Sequence, residues 1–344
     1  MTMENPEPLY VDDALLAQAE QMCTRRLADE PNHLPMLASL GQIYRKQGRL
    51  MDALRVYQRL TLLDPENAQA AWVQATLGGT GTDGAAPAGI HAAPFVVVKN
   101  FLKREFHESL LPFSLSIRDK LVPALVGNFE YRPDTRESLD LPGQDWDVKQ
   151  RFHRYVRDWI PRVRSRLRVP PFQLDAIEVK LRAYLDGHFF RIHMDSPKNS
   201  DNSNRKISYV YFYHKTPRVY TGGELLLFDT DAENNKMTTA GFTRVVPDDN
   251  SIVFFPSCYY HSVVPIRCPS KEFADCRFVI NGHVSEPMPP KPADAPADVP
   301  ATAATPATAA TPATAPAEAS LNTACPAEAS PIAAAENLAG AATS

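Results

Sequence analysis

The stretch FFRIHMDSPKN, Phe189 to Asn199, decides how this chain is read: an apolar alternation runs into a histidine and an aspartate two residues apart and then turns polar. In an extended strand, side chains two apart point the same way. A strand running through both His193 and Asp195 therefore sends them to one side of a sheet, where they can hold one ion together. A third ligand has to come from elsewhere. Several strands further on, SIVFFPSCYYHSVVPIRC places His261 at the opening of a strand, just past a strand ending at Phe255 and a Pro-Ser turn. The sheet must curl round to bring it close. Two imidazoles and one carboxylate on one face leave adjacent coordination positions open, which suits ferrous iron that takes a bidentate cosubstrate and then oxygen. Alone, His193-Met194-Asp195 also fits an ordinary polar pair where a strand meets a loop. His33, His91, His107, His153, His188, His214 and His283 carry no functional reading.

Outward from this stretch the apolar period is two. AIEVKLRAYL alternates Ile177, Val179, Leu181, Ala183 and Leu185 against polar partners, and HFFRIH, KISYVYFYH, GGELLLFD, FTRVV, SIVFFP, HSVVPI and CRFVINGHV follow, separated by turn residues such as Pro247-Asp248-Asp249-Asn250. About eight short strands with no helix between them argue for a closed or double-sheet antiparallel architecture. Ahead of them lie the valine-rich PFVVVKNFL and two helical patterns. REFHESLLPFSLSIRDKLV is helical apart from Pro112, and VKQRFHRYVRDWIPRVRSRLRV carries Phe152, Tyr155, Trp159, Val163 and Leu167 on one face. Arg277, in CRFVINGHV, is a basic residue in a strand pattern. An arginine there can grip a carboxylate through two parallel hydrogen bonds with a charge that never titrates away.

With 44% apolar and 22% charged residues, the 344-residue chain is long enough for two domains with a real core. Its 36 basic residues are outnumbered by 40 acidic ones, so it lacks the basic field that nucleic-acid binding requires. No leader pattern opens the chain, and nowhere do the about 18 consecutive apolar residues of a membrane helix occur, so the expectation is a cytoplasmic protein without membrane or nucleic-acid partners. Cys23, Cys258, Cys268, Cys276 and Cys325 are odd in number and form no C-x-x-C, so reduced thiols are expected.

Composition divides the chain into a helical front over 1–77, a flexible linker over 78–91 built on GGTGTDGAAPAG, a mixed body over 92–287, and a Pro/Ala/Thr-rich tail over 288–344, read as disordered. In the front, Pro31 and Pro65 stand 34 residues apart, the tetratricopeptide period. Leu37, Leu40, Gly41 and Tyr44 fall on one helix, Gly48 at the turn, and Ala53, Tyr57 and Leu60 on the next, with half-repeats at Ala14–Leu27 and Ala68–Leu77. The front resembles a small tetratricopeptide module that leans on the neighbouring domain, since each repeat needs a neighbour to bury its core. The bland alternative is a helical hairpin that buries only its own face.

The body resembles the Fe(II)/2-oxoglutarate-dependent dioxygenases of the prolyl 4-hydroxylase-like branch. The likeness rests, in order, on AYLDGHFFRIHMD, SYVYFYH, GGELLLF, DNSIVFFPS, HSVVPI and CRFVINGHV; it covers about Pro94 to Val284 and is sharpest from Tyr184 onward. It implies an α+β protein: a double-stranded β-helix (jelly-roll) core with flanking helices. It also implies His193, Asp195 and His261 as iron ligands, Arg277 as partner of the 2-oxoglutarate carboxylate, and Tyr184 near that cosubstrate. Fe(II), 2-oxoglutarate and O2 are the implied cofactor set, with ascorbate as an accessory. Arg277 lies further past His261 than the family spacing, which makes RCPSKEFAD a long turn and Arg267 the rival. Phe212 falls where the family has a cosubstrate-holding tyrosine, with Tyr211 and Tyr213 beside it. The resemblance implies hydroxylation of an unactivated C–H, because related halogenases lack the carboxylate that Asp195 supplies. The substrate class it implies is a prolyl or other amino-acid side chain of a protein or peptide, docked by the front. A free or carrier-bound small metabolite, a non-catalytic tetratricopeptide scaffold and a cupin-like isomerase are the other readings. The irregular stretch 128–146, with Tyr131, Arg132 and Trp146, is either a substrate lid or a surface loop.

Overall fold

The computed structural model describes residues 11–79, 86–126, 130–143, 147–198 and 200–288. Four helices open the chain: α1 (Asp13–Asp29), α2 (Leu34–Gln47), α3 (Leu50–Leu63) and α4 (Ala68–Gly78), each packed on the next. Side-chain caps start three of them: Asp12 accepts from the Leu15 amide, His33 from Met36 and Asn67 from Ala70. Gly41 lets α2 and α3 approach, since a Cβ there would stand 2.8 Å from the Tyr57 ring.

The body adds β1 (Val96–Lys99), α5 (Arg104–Ser116), the two-residue strands β2 (Val122–Pro123) and β3 (Leu139–Asp140), and the long helix α6 (Asp147–Arg166). Then come β4 (Ala176–Ile177), β5 (Lys180–Tyr184), β6 (Phe190–His193), β7 (Arg205–Tyr213), β8 (Leu225–Asp231), β9 (Lys236–Val245), β10 (Ser251–Pro256), β11 (His261–Val263) and β12 (Arg277–Ser285). Two antiparallel sheets result. The larger runs β1-β10-β7-β12-β5-β3-β2, with β4 also on β12, and the smaller runs β6-β11-β8-β9. Successive strands from β5 to β12 switch between the sheets except at the β8–β9 hairpin, so the two sheets wind together as a double-stranded β-helix.

Strand alternation sorts the core into two layers. On β7, Ile207, Tyr209, Tyr211 and Tyr213 face Phe106, Leu110, Phe152, Val156 and Val163 of α5 and α6, while Phe212 faces the space between the sheets with Tyr184, Leu227, Phe255 and Val279. The front rests on the smaller sheet through buried Arg45 of α2, whose guanidinium forms a bidentate pair with Asp229 (2.5 and 3.2 Å) and bonds the Thr243 hydroxyl at 3.0 Å.

Four sequence expectations are corrected. The strand after Phe189 stops at His193, so Asp195 lies beyond it, its backbone amide on the Ser257 carbonyl at 3.2 Å. AIEVKLRAYL is two strands rather than one, because the Glu178 carbonyl turns out of the ladder toward Gly282, which has no Cβ to block it, and accepts the Tyr209 hydroxyl at 2.5 Å. HSVVPI contributes only three residues of strand, because the backbone of Val264 and Ile266 leaves the ladder to bond the carbonyls of Glu224 and His188. Of the segment read as a flexible linker, 80–85 lie outside the described residues, and its end is pinned: the His91 backbone exchanges hydrogen bonds with Thr230, and its ring meets the Tyr259 hydroxyl at 2.7 Å. Nearly all of the tail, 289–344, and Trp146 lie outside the described residues as well. Among the described residues no helix is long and apolar enough to cross a membrane.

Candidate metal and cosubstrate site

Strand register builds the site. On the smaller sheet His261, first in β11, pairs directly with His193, last in β6, and their rings lie 4.1 Å apart. Asp195, just beyond β6, brings Oδ1 to 3.4 Å from His193 Nε2 and Oδ2 to 3.3 Å from His261 Nε2. One ligand atom from each of the three lies within 4.8 Å of the others, so the structure brings all three predicted ligands together.

The hydrogen bonds around the three set their chemistry. His193 Nδ1 donates to the Arg191 carbonyl at 2.8 Å and His261 Nδ1 to the Tyr259 carbonyl at 3.1 Å, which turns Nε2 of each ring toward Asp195. Burial pushes the His193 pKa down, helped by nearby His261, so the ring is neutral, the form that binds metal. Burial would raise the Asp195 carboxyl, but the facing imidazoles of His283, His261 and His193 outweigh it and hold the group well below the ordinary carboxylate range. Two nitrogen lone pairs and one anionic oxygen at this spacing fit a divalent iron.

Behind Asp195 stands a layer that sequence reading missed. Register places Ser208 of β7 opposite His283 of β12. The Ser208 hydroxyl donates to Asp195 Oδ2 at 2.7 Å, lies 2.9 Å from the Ser257 hydroxyl, and has His283 Nδ1 at 3.2 Å. His283 Nε2 in turn lies 3.4 Å from Glu178 Oε2. Burial pushes His283 down to about 4, so it is uncharged at neutral pH and serves as a dipolar support for the carboxylate.

The second half of the site lies at the other end of β12. Arg277 pairs in register with Tyr184 of β5 and is 1% exposed. Its guanidinium carbon sits 4.7 Å from the Tyr184 ring and 5.2 Å from the Phe212 ring, and none of its three nitrogens has a hydrogen-bond partner. A buried guanidinium without an acceptor costs several kcal/mol, so the pocket has the chemistry of a site built for an anion. Burial lowers its pKa, partly offset by Tyr184, Tyr220 and Glu224. Arg267, the rival, is exposed and bridges Thr221 through its backbone.

Of two consecutive glycines beside this arginine, the second makes room for it and the first for the Pro265 carbonyl. Gly222 and Gly223 have φ of +74° and +71°; a Cβ on Gly222 would meet the Pro265 carbonyl oxygen at 2.1 Å, and one on Gly223 would meet Arg277 Cδ at 2.6 Å. Just before them, Tyr220 is buried with an unpartnered hydroxyl, and burial pushes its pKa up to about 12 against the pull of Arg277 and Arg218. Tyr211 and Tyr213, flanking Phe212, point away: their hydroxyls meet His107 and Ser114 under α5. The only sequence signal for Tyr220 was its place two residues before the glycine pair.

Residues 134–137 run along the free edge of β6, with the Arg191 amide on the Thr135 carbonyl (2.9 Å) and the Glu137 amide on Phe189 (3.0 Å). Arg136 covers Phe190 at 4.8 Å, and Phe190 stacks on His193 at 3.7 Å, so this part of the irregular stretch buttresses a ligand. Tyr131 is 53% exposed, and Arg132 is tied at the surface to Asp134 and Glu130.

Residues 179–285 match the family profile of the 2OG-Fe(II) oxygenase superfamily. An uncharacterised PKHD-type hydroxylase of Synechocystis sp. is 32% identical over 195 residues, 56% of this chain; the chain spans 63% of that protein's length. Among solved structures, the chain is similar to a Pseudomonas putida prolyl-4-hydroxylase (TM-score 0.42, 18% identity, 57% of this chain and 94% of that one). It is also similar to a Trichoplax adhaerens prolyl hydroxylase in complex with a hypoxia inducible factor oxygen degradation domain peptide fragment (TM-score 0.42, 17% identity, 56% and 83%). The segment 179–285 thus carries the sequence pattern of the 2OG-Fe(II) oxygenases; His193, Asp195, Ser208, Tyr220, His261, Arg277 and His283 lie within it, whereas Glu178 and Arg136 do not.

Proposed function

We propose that this chain is an Fe(II)- and 2-oxoglutarate-dependent hydroxylase. The observation that carries the reading is the pairing, in one barrel, of a convergent His193-Asp195-His261 set with the buried, acceptor-free guanidinium of Arg277. Iron holding 2-oxoglutarate would supply the oxidising power, converting O2 and 2-oxoglutarate to succinate, CO2 and a hydroxyl placed on an unactivated C–H. The chain's own residues do the rest. His193, Asp195 and His261 hold the metal from one side. Ser208, backed by His283, keeps the Asp195 carboxylate turned toward it. Arg277 takes the far carboxylate of the cosubstrate through paired N–H donors, with the Tyr184 ring beneath it and the Tyr220 hydroxyl as a further donor. Apolar neighbours Phe212, Leu227 and Val279 keep water from this end of the pocket.

A prolyl or other amino-acid side chain of a protein or peptide is the substrate class we assign, supported by the PKHD-type relative and by the helical front, which we read as a tetratricopeptide module that presents a partner. Anaerobic addition of Fe(II) and then 2-oxoglutarate tests the reading. A weak visible charge-transfer band should grow with one equivalent of each. A folded protein that binds neither refutes the assignment.

A further inference from the structure

Beside the metal-ligand loops lies a second feature that the reaction does not require. A cleft of about 1000 Å³ opens where α4, the end of α6 and the loop after Asp195 meet, with Trp72, Arg168, Ser196, Lys198, Arg205 and Tyr259 among its lining. Ser196 follows Asp195 directly and Tyr259 precedes His261 by two residues, so one wall is made of the ligand-bearing loops themselves.

The charge on that wall is positive. Arg168, Lys198, Arg205 and Lys206 line the cleft against the single acid Glu233. Lys198 donates to the backbone carbonyl of Glu233 (2.5 Å) and Arg205 to that of Asp195 (3.3 Å), and Lys206 pairs with Glu286 at 2.6 Å. The backbone carbonyl bonds Lys198 without neutralising it, while Arg205 also reaches Glu178 at 3.9 Å.

Arg168 is the residue these observations single out. Its guanidinium carbon lies 3.6 Å from the Trp72 ring centre, and its buried Nε and Nη1 atoms have no hydrogen-bond partner. It also stands at the C-terminal end of α6 with φ +56°, where the Val169 amide bonds back to the Arg164 carbonyl. Glycine or asparagine adopts this helix-ending conformation without strain, whereas an arginine there costs about 1 kcal/mol. A strained backbone, an aromatic platform and two orphaned donors make a guanidinium pre-set for a carboxylate. Burial lowers its pKa, and Tyr259 partly offsets this.

We propose that this cleft binds an acidic polypeptide segment, with Arg168, stacked on Trp72, taking a carboxylate side chain and thereby laying the segment across the metal-ligand loops. The volume is at the upper end of what small ligands occupy, and the cations are spread along it, which suits several side chains better than one small anion. The inference rests on the hydroxylase reading for its purpose but not for its test.

That test is fluorescence anisotropy on the full chain, without iron or 2-oxoglutarate. The probe is a fluorescein-labelled ten-residue peptide of glutamates around one proline; a control peptide carries glutamine in place of every glutamate. The acidic peptide should bind, and its affinity should fall steeply with salt. Arg168→Asn should weaken it by at least about tenfold, while the thermal midpoint stays level or rises because asparagine relieves the helix end. Arg168→Lys should retain part of the affinity. No binding, equal binding of the glutamine peptide, an unchanged affinity in Arg168→Asn, or displacement by free glutamate as effectively as by unlabelled peptide would each overturn the proposal. The charge-transfer titration of the iron site reads a different event, so either result can fail while the other stands.

Discussion

Replacing Arg277 by methionine should make the ligand-free protein more heat-stable and, in the same step, blind to 2-oxoglutarate. The guanidinium is 1% exposed and all three nitrogens lack acceptors, and each buried donor left unmade costs about 1–3 kcal/mol. The faces of Tyr184 and Phe212 return about 1–2 kcal/mol each through cation–π attraction. The balance is a net cost of about 1–5 kcal/mol, in line with the about 1–4 kcal/mol gained when buried charges are replaced by apolar groups of similar volume. At about 2 °C per kcal/mol for a chain of this size, the thermal midpoint of Arg277→Met should rise by about 2–10 °C. Cosubstrate reverses the order. With 2-oxoglutarate at a hundred times its dissociation constant and Mn(II) in place of Fe(II), the wild type should gain about 2.7 kcal/mol and the variant nothing. Differential scanning fluorimetry on both proteins, with and without 2-oxoglutarate, reads all four midpoints. An Arg277→Met protein that melts below the wild type without cosubstrate, or that is still stabilised by it, would refute the idea that this arginine is an anion site held in wait.

The remaining expectations probe other parts of the fold. His193→Ala and Asp195→Ala should each abolish succinate release and the Fe(II)-dependent absorption band while leaving the far-ultraviolet circular dichroism unchanged; normal turnover in either removes that residue from the ligand set. Tyr220→Phe should weaken 2-oxoglutarate by about tenfold, the worth of one hydrogen bond to a charged group, seen as a raised KM with the Fe(II) requirement unaltered; an unchanged KM removes Tyr220 from the cosubstrate site. Asp229→Ala strands buried Arg45 between α2 and the smaller sheet and should cost about 3–5 kcal/mol in urea unfolding; a loss under about 1 kcal/mol would mean that the front does not depend on this pair.

Fold and site were legible to different depths, and the difference is physical. A period-two alternation specifies which residues face one way, so the strands from Lys180 to Ser285 could be read, and with them the barrel. Alternation does not say where hydrogen bonding stops. Whether the ladder ends at His193 or runs on to Asp195 depends on the Ser257 carbonyl, which is brought there by a turn far along the chain. The convergence of His193, Asp195 and His261 could be read for a related reason: imidazole and carboxylate at strand ends are few, and an ion's needs restrict which combinations make sense. Phe212, by contrast, drew attention to its tyrosine neighbours, yet the same alternation that places Phe212 inside the barrel sends Tyr211 and Tyr213 under α5.

His283 and Tyr220 mark the boundary of what one-dimensional reading can reach. Neither belongs to a spacing motif; each acquires meaning from a partner supplied by another strand. His283 shares the inward face of β12 with Arg277, three alternations further on, so a single strand carries both the guanidinium we assign to the cosubstrate and the support beneath the carboxylate we assign to the metal. A twist or slip of β12 by one residue would withdraw both at once, and Gly282 is what secures its register: any Cβ there would meet the Glu178 carbonyl at 1.7 Å. Gly282→Ala should therefore impair Fe(II) and 2-oxoglutarate binding together although it touches neither site. Isothermal titration of the two ligands, using Mn(II) for the metal, separates the cases: a joint loss of at least about tenfold follows from shared register, and a loss confined to one ligand would show that the two ends of β12 move independently.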